Sequence, residues 1–293
     1  MTITPDLDAP RVATSDGFTD AVTVAFGDPA SGLCGTFRLG LAGGGTASGL
    51  AVVFHDREPA AVVAEGGSAV ADPSRWDGVH AAGIDMETVE PLRNWRVSYA
   101  GDDVSLDLEL EASGSVAQLA SDDPVATLGG MLGFEQPVTV RGHAEVRGSH
   151  IAVEGLGQRG RSWGSPDWTA IDRTRTVQAW FAGGAVSIYA IAATGRAHGE
   201  EAVSAAIMSP HGCVFSQEPR LSTTFDADGR QQRAAMELPL DDDSPPRRIS
   251  GEVFCGTTLD LGRLRLDCSF LRWRMNGDEG IGRYDVLRRV EDA

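Results

Sequence analysis

Residues Gly155 to Trp168 read GLGQRGRSWGSPDW, and the fold of the chain turns on how this stretch is read. Its first six residues spell G-x-G-x-x-G, the fingerprint that cradles a dinucleotide pyrophosphate, while Gly160 to Gly164 spell G-x-S-x-G, the elbow of a hydrolase serine. A third reading makes the stretch a strand-to-loop corner that sets tryptophans and an aspartate at the mouth of a β-barrel. The fingerprint needs a helix opening at the third glycine, because the pyrophosphate sits on that helix's free N–H groups. Arg161-Ser162-Trp163-Gly164-Ser165-Pro166 follows instead, and Gly164 and Pro166 oppose such a helix by about 1 and about 3 kcal/mol. A helix starting at Pro166, with Ser165 as its N-cap, would come too late to serve the glycines. The serine elbow needs a buried parallel sheet, a following helix and a later histidine, and only the last is on offer, as His198 or His211. The barrel corner survives.

Outward from this stretch, a period of two dominates. Val104-Ser105-Leu106-Asp107-Leu108-Glu109-Leu110 puts its apolar side chains on one face and its polar ones on the other, as a half-buried strand does. Leu264, Leu266, Cys268 and Phe270 repeat the pattern; Leu271, Trp273 and Met275 then take the other parity, which predicts a β-bulge near Phe270 or Leu271. Further strands are expected at Trp95–Tyr99, Val138–Val146, His150–Glu154, Val186–Ala192, Leu221–Phe225 and Arg283–Leu287, separated by glycine and aspartate turns such as Arg147-Gly148-Ser149. Long amphipathic helices are absent from the pattern. It lapses over Gly114–Pro137, where a short helix is expected, and the run Leu240-Asp241-Asp242-Asp243-Ser244-Pro245-Pro246 reads as a solvated loop and not a calcium site. Many short antiparallel strands over 293 residues call for two barrels or sandwiches.

Composition narrows the chemistry. The net charge is −17 and every one of the 25 basic side chains is an arginine, so P-loop, Schiff-base and acid–base lysine mechanisms are excluded. So acidic a chain repels a nucleic-acid backbone. The first ten residues, MTITPDLDAP, lack the basic start and apolar run of a signal peptide, and no segment approaches a membrane span. Cys34, Cys213, Cys255 and Cys268 follow no metal or disulfide spacing, and the expectation is a reduced, cytoplasmic protein.

The same residues carry a resemblance. The motif G-x-G-x-R-D-H-S-W-G-x-R-D-W of the hydroxyneurosporene-synthase-like family, which includes carotenoid 1,2-hydratases and is similar to lipocalin-type Diels–Alderases, is matched over Gly155–Trp168, with Gly160, Arg161 and Pro166 where the motif has Asp, His and Arg. Phe134-Glu135-Gln136-Pro137 resembles its aromatic-Glu-Gln-Pro segment, Glu90-Pro91-Leu92-Arg93-Asn94-Trp95-Arg96 its E-P-L-x-x-W-R stretch, and Gly280-Ile281-Gly282-Arg283-Tyr284-Asp285-Val286 its closing G-x-G-x-Y-G-V. The resemblance implies an all-β chain of two tandem lipocalin-like antiparallel β-barrel domains, 1–135 and 136–293. It also implies a lipophilic isoprenoid or polyene ligand near the domain junction, and hydration or cyclisation without a metal or organic cofactor. Asp167 is then the expected acid, kept neutral by burial between Trp163 and Trp168, whose indole faces would contribute about 2 kcal/mol to a carbocation. Trp95, Gln136, Arg159, Ser162 and Trp180 are the expected substrate-binding residues. The alternative is a carrier of a lipophilic small molecule, with these tryptophans as core and Arg159–Asp167 as a clamp. A hydrolase using Ser162 ranks last.

Overall fold

The computed structural model describes residues 3–11, 15, 17–43, 45–70, 74–196, 200–241 and 243–290. His198 and Asp242 lie outside the described residues. The chain forms strands β1 (Thr19–Asp28), β2 (Leu33–Ala42), β3 (Thr46–His55), β4 (Glu58–Ala69), β5 (Ile84–Glu90), β6 (Asn94–Ala100), β7 (Val104–Ala112) and β8 (Ala117–Gln118), helix α1 (Pro124–Gly129), and strands β9 (Met131–Val146) and β10 (Ser149–Gly164). There follow β11 (Ile171–Phe181), β12 (Gly184–Ala193), β13 (Glu201–Ser209), β14 (Gly212–Phe215), β15 (Arg220–Phe225), β16 (Gln231–Leu238), β17 (Arg247–Asp260), β18 (Leu264–Met275) and β19 (Asp278–Arg289). The all-β class expected from the alternation is the class found, with 67% strand and 5% helix. No helix among the described residues is long and apolar enough to cross a membrane.

Two compact units make up the chain: Met1–Val116 with Met131–Pro166, and Ala117–Gly130 with Asp167–Ala293. The first has the sheet order β4-β3-β2-β1-β10-β9-β7-β6-β5 and the second β14-β13-β12-β11-β19-β18-β17-β16-β15, with every pairing antiparallel. The scheme is the same in both. A four-strand meander is joined to a second meander by a pairing of the unit's first strand with its last, which curls each sheet into a half-barrel.

Inside the first unit the alternation places Val22, Val24 and Phe26 of β1, Leu106, Leu108 and Leu110 of β7, and Val138 and Val140 of β9 in one apolar core. In the second unit Val177, Ala179 and Phe181 of β11 face Met236, Leu271, Trp273, Tyr284 and Val286. The short helix expected between Gly114 and Pro137 is α1: Asp123 caps it by accepting a hydrogen bond from the Val125 amide, and Gly130 ends it in the left-handed region.

Two local expectations are corrected. The strand expected at His150–Glu154 continues to Gly164, with no corner at Gly155 and no helix at Pro166. The glycines are there because β1 lies close: a Cβ on Gly155 or Gly157 would stand 2.6 or 2.4 Å from the carbonyl oxygens of Gly27 or Ala25. The phase slip at Phe270–Leu271 involves no bulge in β18, whose register with β19 is unbroken; the irregularity lies across from it in β17, between Val253 and Cys255. The apolar side chains of β18 change parity because its outer face is buried as far as Phe270, which lies against Trp180 at 6.4 Å between centroids, and is exposed beyond it at Arg272 and Arg274, where Leu271 and Trp273 face the interior.

Candidate functional site

Cross-strand neighbours share a face, so the registers of β1, β10 and β9 fix what points into the first unit. Asp20, Trp163 and Leu132 form one row, Val22, Arg161 and Phe134 the next, and Val24, Arg159 and Gln136 a third. Since Val22 and Val24 are core residues, Arg159, Arg161 and Trp163 are inward-facing, and the two arginines are almost completely buried.

Each arginine has a counter-ion. Arg161 donates from one nitrogen, Nη2, to both carboxylate oxygens of Asp20, at 2.6 and 2.7 Å, with both side chains at 0% exposure. Its remaining donors reach the carbonyls of Ala21, Leu7, Asp8 and Ala9. Arg159 pairs with the Asp8 carboxylate at 2.5 Å. Burial, partly opposed by the Asp8 charge, depresses the Arg159 pKa to about 10, so it is a cation at neutral pH.

Asp8 arrives on the turn Pro5–Asp8 and is the centre of the cluster. Its Oδ2 accepts hydrogen bonds from the Leu92 amide at 2.5 Å and the Trp95 indole N–H at 3.0 Å, and its backbone carbonyl accepts one from the Trp76 indole at 3.1 Å. Leu92 turns its amide toward Asp8 from a left-handed backbone (φ 60°), a conformation unusual for a leucine. Gln136 holds that turn by donating to the carbonyls of Leu92 and Gly114. Aromatic faces enclose the charges: the Arg159 guanidinium lies 4.7 Å from the Trp95 ring centre, Arg161 4.7 Å from Trp76, and Arg11 3.7 Å from Trp163. Leu7 packs with Phe18, Phe134 and Trp163.

Of the residues singled out in the sequence, Trp95, Gln136, Arg159 and Trp163 therefore come together inside the first unit. Ser162 does not: it has the opposite parity in β10, on the face that carries Glu135, Gln158 and Gly160. There Gln158 donates to Glu135 at 2.8 Å, and a Cβ at Gly160 would stand 2.5 Å from both Glu135 oxygens. Glycine at 160, where the resembled motif has Asp, leaves room for the Glu135 carboxylate.

Asp167, Trp168 and Trp180 belong to the second unit. Asp167 is exposed, and its carboxylate accepts hydrogen bonds from the amide and hydroxyl of Thr169, which hold its pKa below the ordinary aspartate value. These are the surroundings of an ionised turn residue and not of a buried neutral acid. Trp168 packs beside Val125, Ile171 and Ile191 in a small apolar cluster. Trp180 is buried, and its indole N–H has no hydrogen-bond partner among the described residues.

Sequence reasoning missed Asp8, Asp20, Trp76 and the inward role of Arg161. Asp20 was findable: it shares parity with Val22, Val24 and Phe26, an acid on an apolar face. Nothing local marks Asp8, whose partners lie 84 and 87 positions away.

A model of the family described as a domain of unknown function, DUF7064, matches residues 6–290. The chain belongs to this family. No curated protein matches it in sequence. Among solved structures it is similar to a protein assigned as AttH from Nitrosomonas europaea, with TM-score 0.72 and 14% identity over 93% of this chain and 92% of that one. It is also similar to CghA, solved with Sch210972, with TM-score 0.70 and 10% identity over 100% and 97% of the two chains. Kievitone hydratase from Nectria haematococca gives TM-score 0.64 and 12% identity over 92% and 88%. At these identities the likeness is one of fold, the lipocalin-like fold expected from the sequence.

Proposed function

We propose that the chain is a hydratase- or cyclase-type protein acting on a lipophilic small molecule of the isoprenoid or polyene class. The ligand's place is the aromatic end of the first unit's interior, beside Trp76, Trp95, Trp163 and Phe134. The observation that carries this reading is the convergence of separate sequence stretches on one point: Leu92, Trp95 and Arg159 meet at the Asp8 carboxylate, and Gln136 holds the Leu92 turn from behind. An apolar wall with a few convergent polar groups is what an orienting small-molecule site requires. Of the structures of similar fold, one holds the compound Sch210972 and one is named a hydratase, and both support this reading.

Between hydration and cyclisation, the charges favour cyclisation. Protonating an alkene needs a carboxylic acid that is neutral at working pH, and Asp8 and Asp20 each face an arginine. Asp167 is exposed and hydrogen-bonded as an anion. A cyclisation guided by shape needs no acid, because holding the reacting carbons together removes much of the entropic barrier. Saturable quenching of tryptophan fluorescence by a conjugated polyene, weakened in Trp163→Ala, tests the site. Incubation of the same polyene in labelled water then separates the chemistries: a product of unchanged mass is expected, and uptake of label would replace cyclisation by hydration. Unquenched fluorescence with every polyene tried would remove the site.

A further inference from the structure

The geometry points to a receptor for the carboxylate of a lipophilic acid, formed by Arg159, the Trp95 indole N–H and the Leu92 amide, and filled by the chain's own Asp8. This inference rests on the ligand site proposed above and names the head group it takes. One cation and two hydrogen-bond donors converge on one carboxylate: the Arg159 guanidinium from β10 forms an ion pair with Oδ1 at 2.5 Å, and the Leu92 amide and Trp95 indole donate to Oδ2 at 2.5 and 3.0 Å. All three are held independently of Asp8. Gln136 fixes the Leu92 turn through that residue's carbonyl, Trp95 is a core residue of β6, and Arg159 is set in the centre of the sheet between β1 and β9. The receptor therefore belongs to the barrel, and its occupant belongs to a short segment laid into it.

That segment has the stereochemistry of a ligand. Leu7 presents an apolar side chain to Phe18, Phe134 and Trp163, and the next residue presents a carboxylate to the cation and the two donors. A long-chain acid has the same two parts, an apolar tail leading to a carboxylate. The free ester or alcohol of the same tail has no anion for Arg159 and leaves a buried guanidinium without its counter-ion. Because segment and ligand share one receptor, the apparent affinity of the parent protein is reduced by the fraction of molecules in which Asp8 is in place.

Binding of cis-parinaric acid, a fluorescent conjugated tetraene acid, and of its methyl ester to the parent, Asp8→Asn and Arg159→Gln proteins tests this. Asp8→Asn keeps the shape and one acceptor of the native side chain but gives up the charge, so the acid should bind at least about tenfold tighter than to the parent while the ester is unchanged. Arg159→Gln should lose the preference for acid over ester. A second measurement uses the parent alone. Saturating acid should raise amide hydrogen exchange in residues Leu7 to Ala9, and the ester should not. Equal binding of acid and ester to all three proteins, with exchange unchanged, would overturn the receptor and leave the lipophilic site standing; no binding of either compound to any of them removes both.

Discussion

In the first unit the closing strand β10 turns two arginines inward, and Asp8 and Asp20 answer them; in the second its counterpart β19 turns Tyr284 and Val286 inward, and the facing strand β11 carries Arg173 and Arg175, which share Glu201. Arg175 also donates to the Thr223 hydroxyl at 3.0 Å and to the Tyr284 hydroxyl at 3.3 Å, while those two hydroxyls lie 2.6 Å apart. One strand order thus carries two solutions at the same seam. The first buries whole charges completely, matched pair by pair. The second sets two arginines on one carboxylate and adds neutral hydroxyls, and the apolar residues Val203, Leu221 and Phe225 of this unit are only partly buried. A seam of matched charges tolerates loss of a partner badly, whereas a seam of hydroxyls gives up one hydrogen bond at a time.

The comparison is broken most directly at its centre. Asp20→Ala strands Arg161 in a fully buried site and should cost about 3–5 kcal/mol in chemical denaturation, whereas Tyr284→Phe should cost about 1 kcal/mol. Equal losses would erase the distinction between the seams. Glycines on the two closing strands give the next largest effect. A Cβ at Gly282 would stand 1.9 Å from the Gln178 carbonyl oxygen, so Gly282→Ala must part β19 from β11, at about 1–3 kcal/mol. At Gly160 the obstacle is the end of the Glu135 side chain, which can turn, and Gly160→Ala should lower the unfolding midpoint by less. The reverse order would mean that Glu135 is the more rigid neighbour. The smallest effect belongs to Asp167. Its folded pKa is depressed, so its contribution is present above the ordinary aspartate value of 3.8 and is lost only as pH falls through the lower folded value. Asp167→Asn should flatten the acid limb of the stability profile and leave turnover at neutral pH unchanged; a large loss of turnover would restore Asp167 as an acid.

The strands were legible because alternation is a local signal: Val104–Leu110 shows its buried face without reference to any other residue. Where both faces are buried, the signal degenerates. Phe270 and Leu271 look like a slip of phase, and β10 looks like a loop, because its glycines answer to the backbone of β1 and not to solvent. The candidate site was half legible for the same reason. Trp95, Gln136, Arg159 and Trp163 lie in stretches whose composition singles them out. The Asp8 carboxylate has meaning only through residues 84 or more positions away, and Asp167, with Trp168 beside it in sequence, is exposed because it opens a turn in which its carboxylate accepts from Thr169.

The pairing of β1 with β10 also sets a timetable. During synthesis the first strand emerges long before the last, and the Asp20–Arg161 bridge spans 141 positions of chain. Until β10 leaves the ribosome, β1 has only β2 beside it, its second edge is open, and Asp20 sits on an apolar face without Arg161, its buried partner. The nascent first unit must wait with an unpaired edge and an unanswered charge, a state in which aggregation and chaperone capture compete with folding.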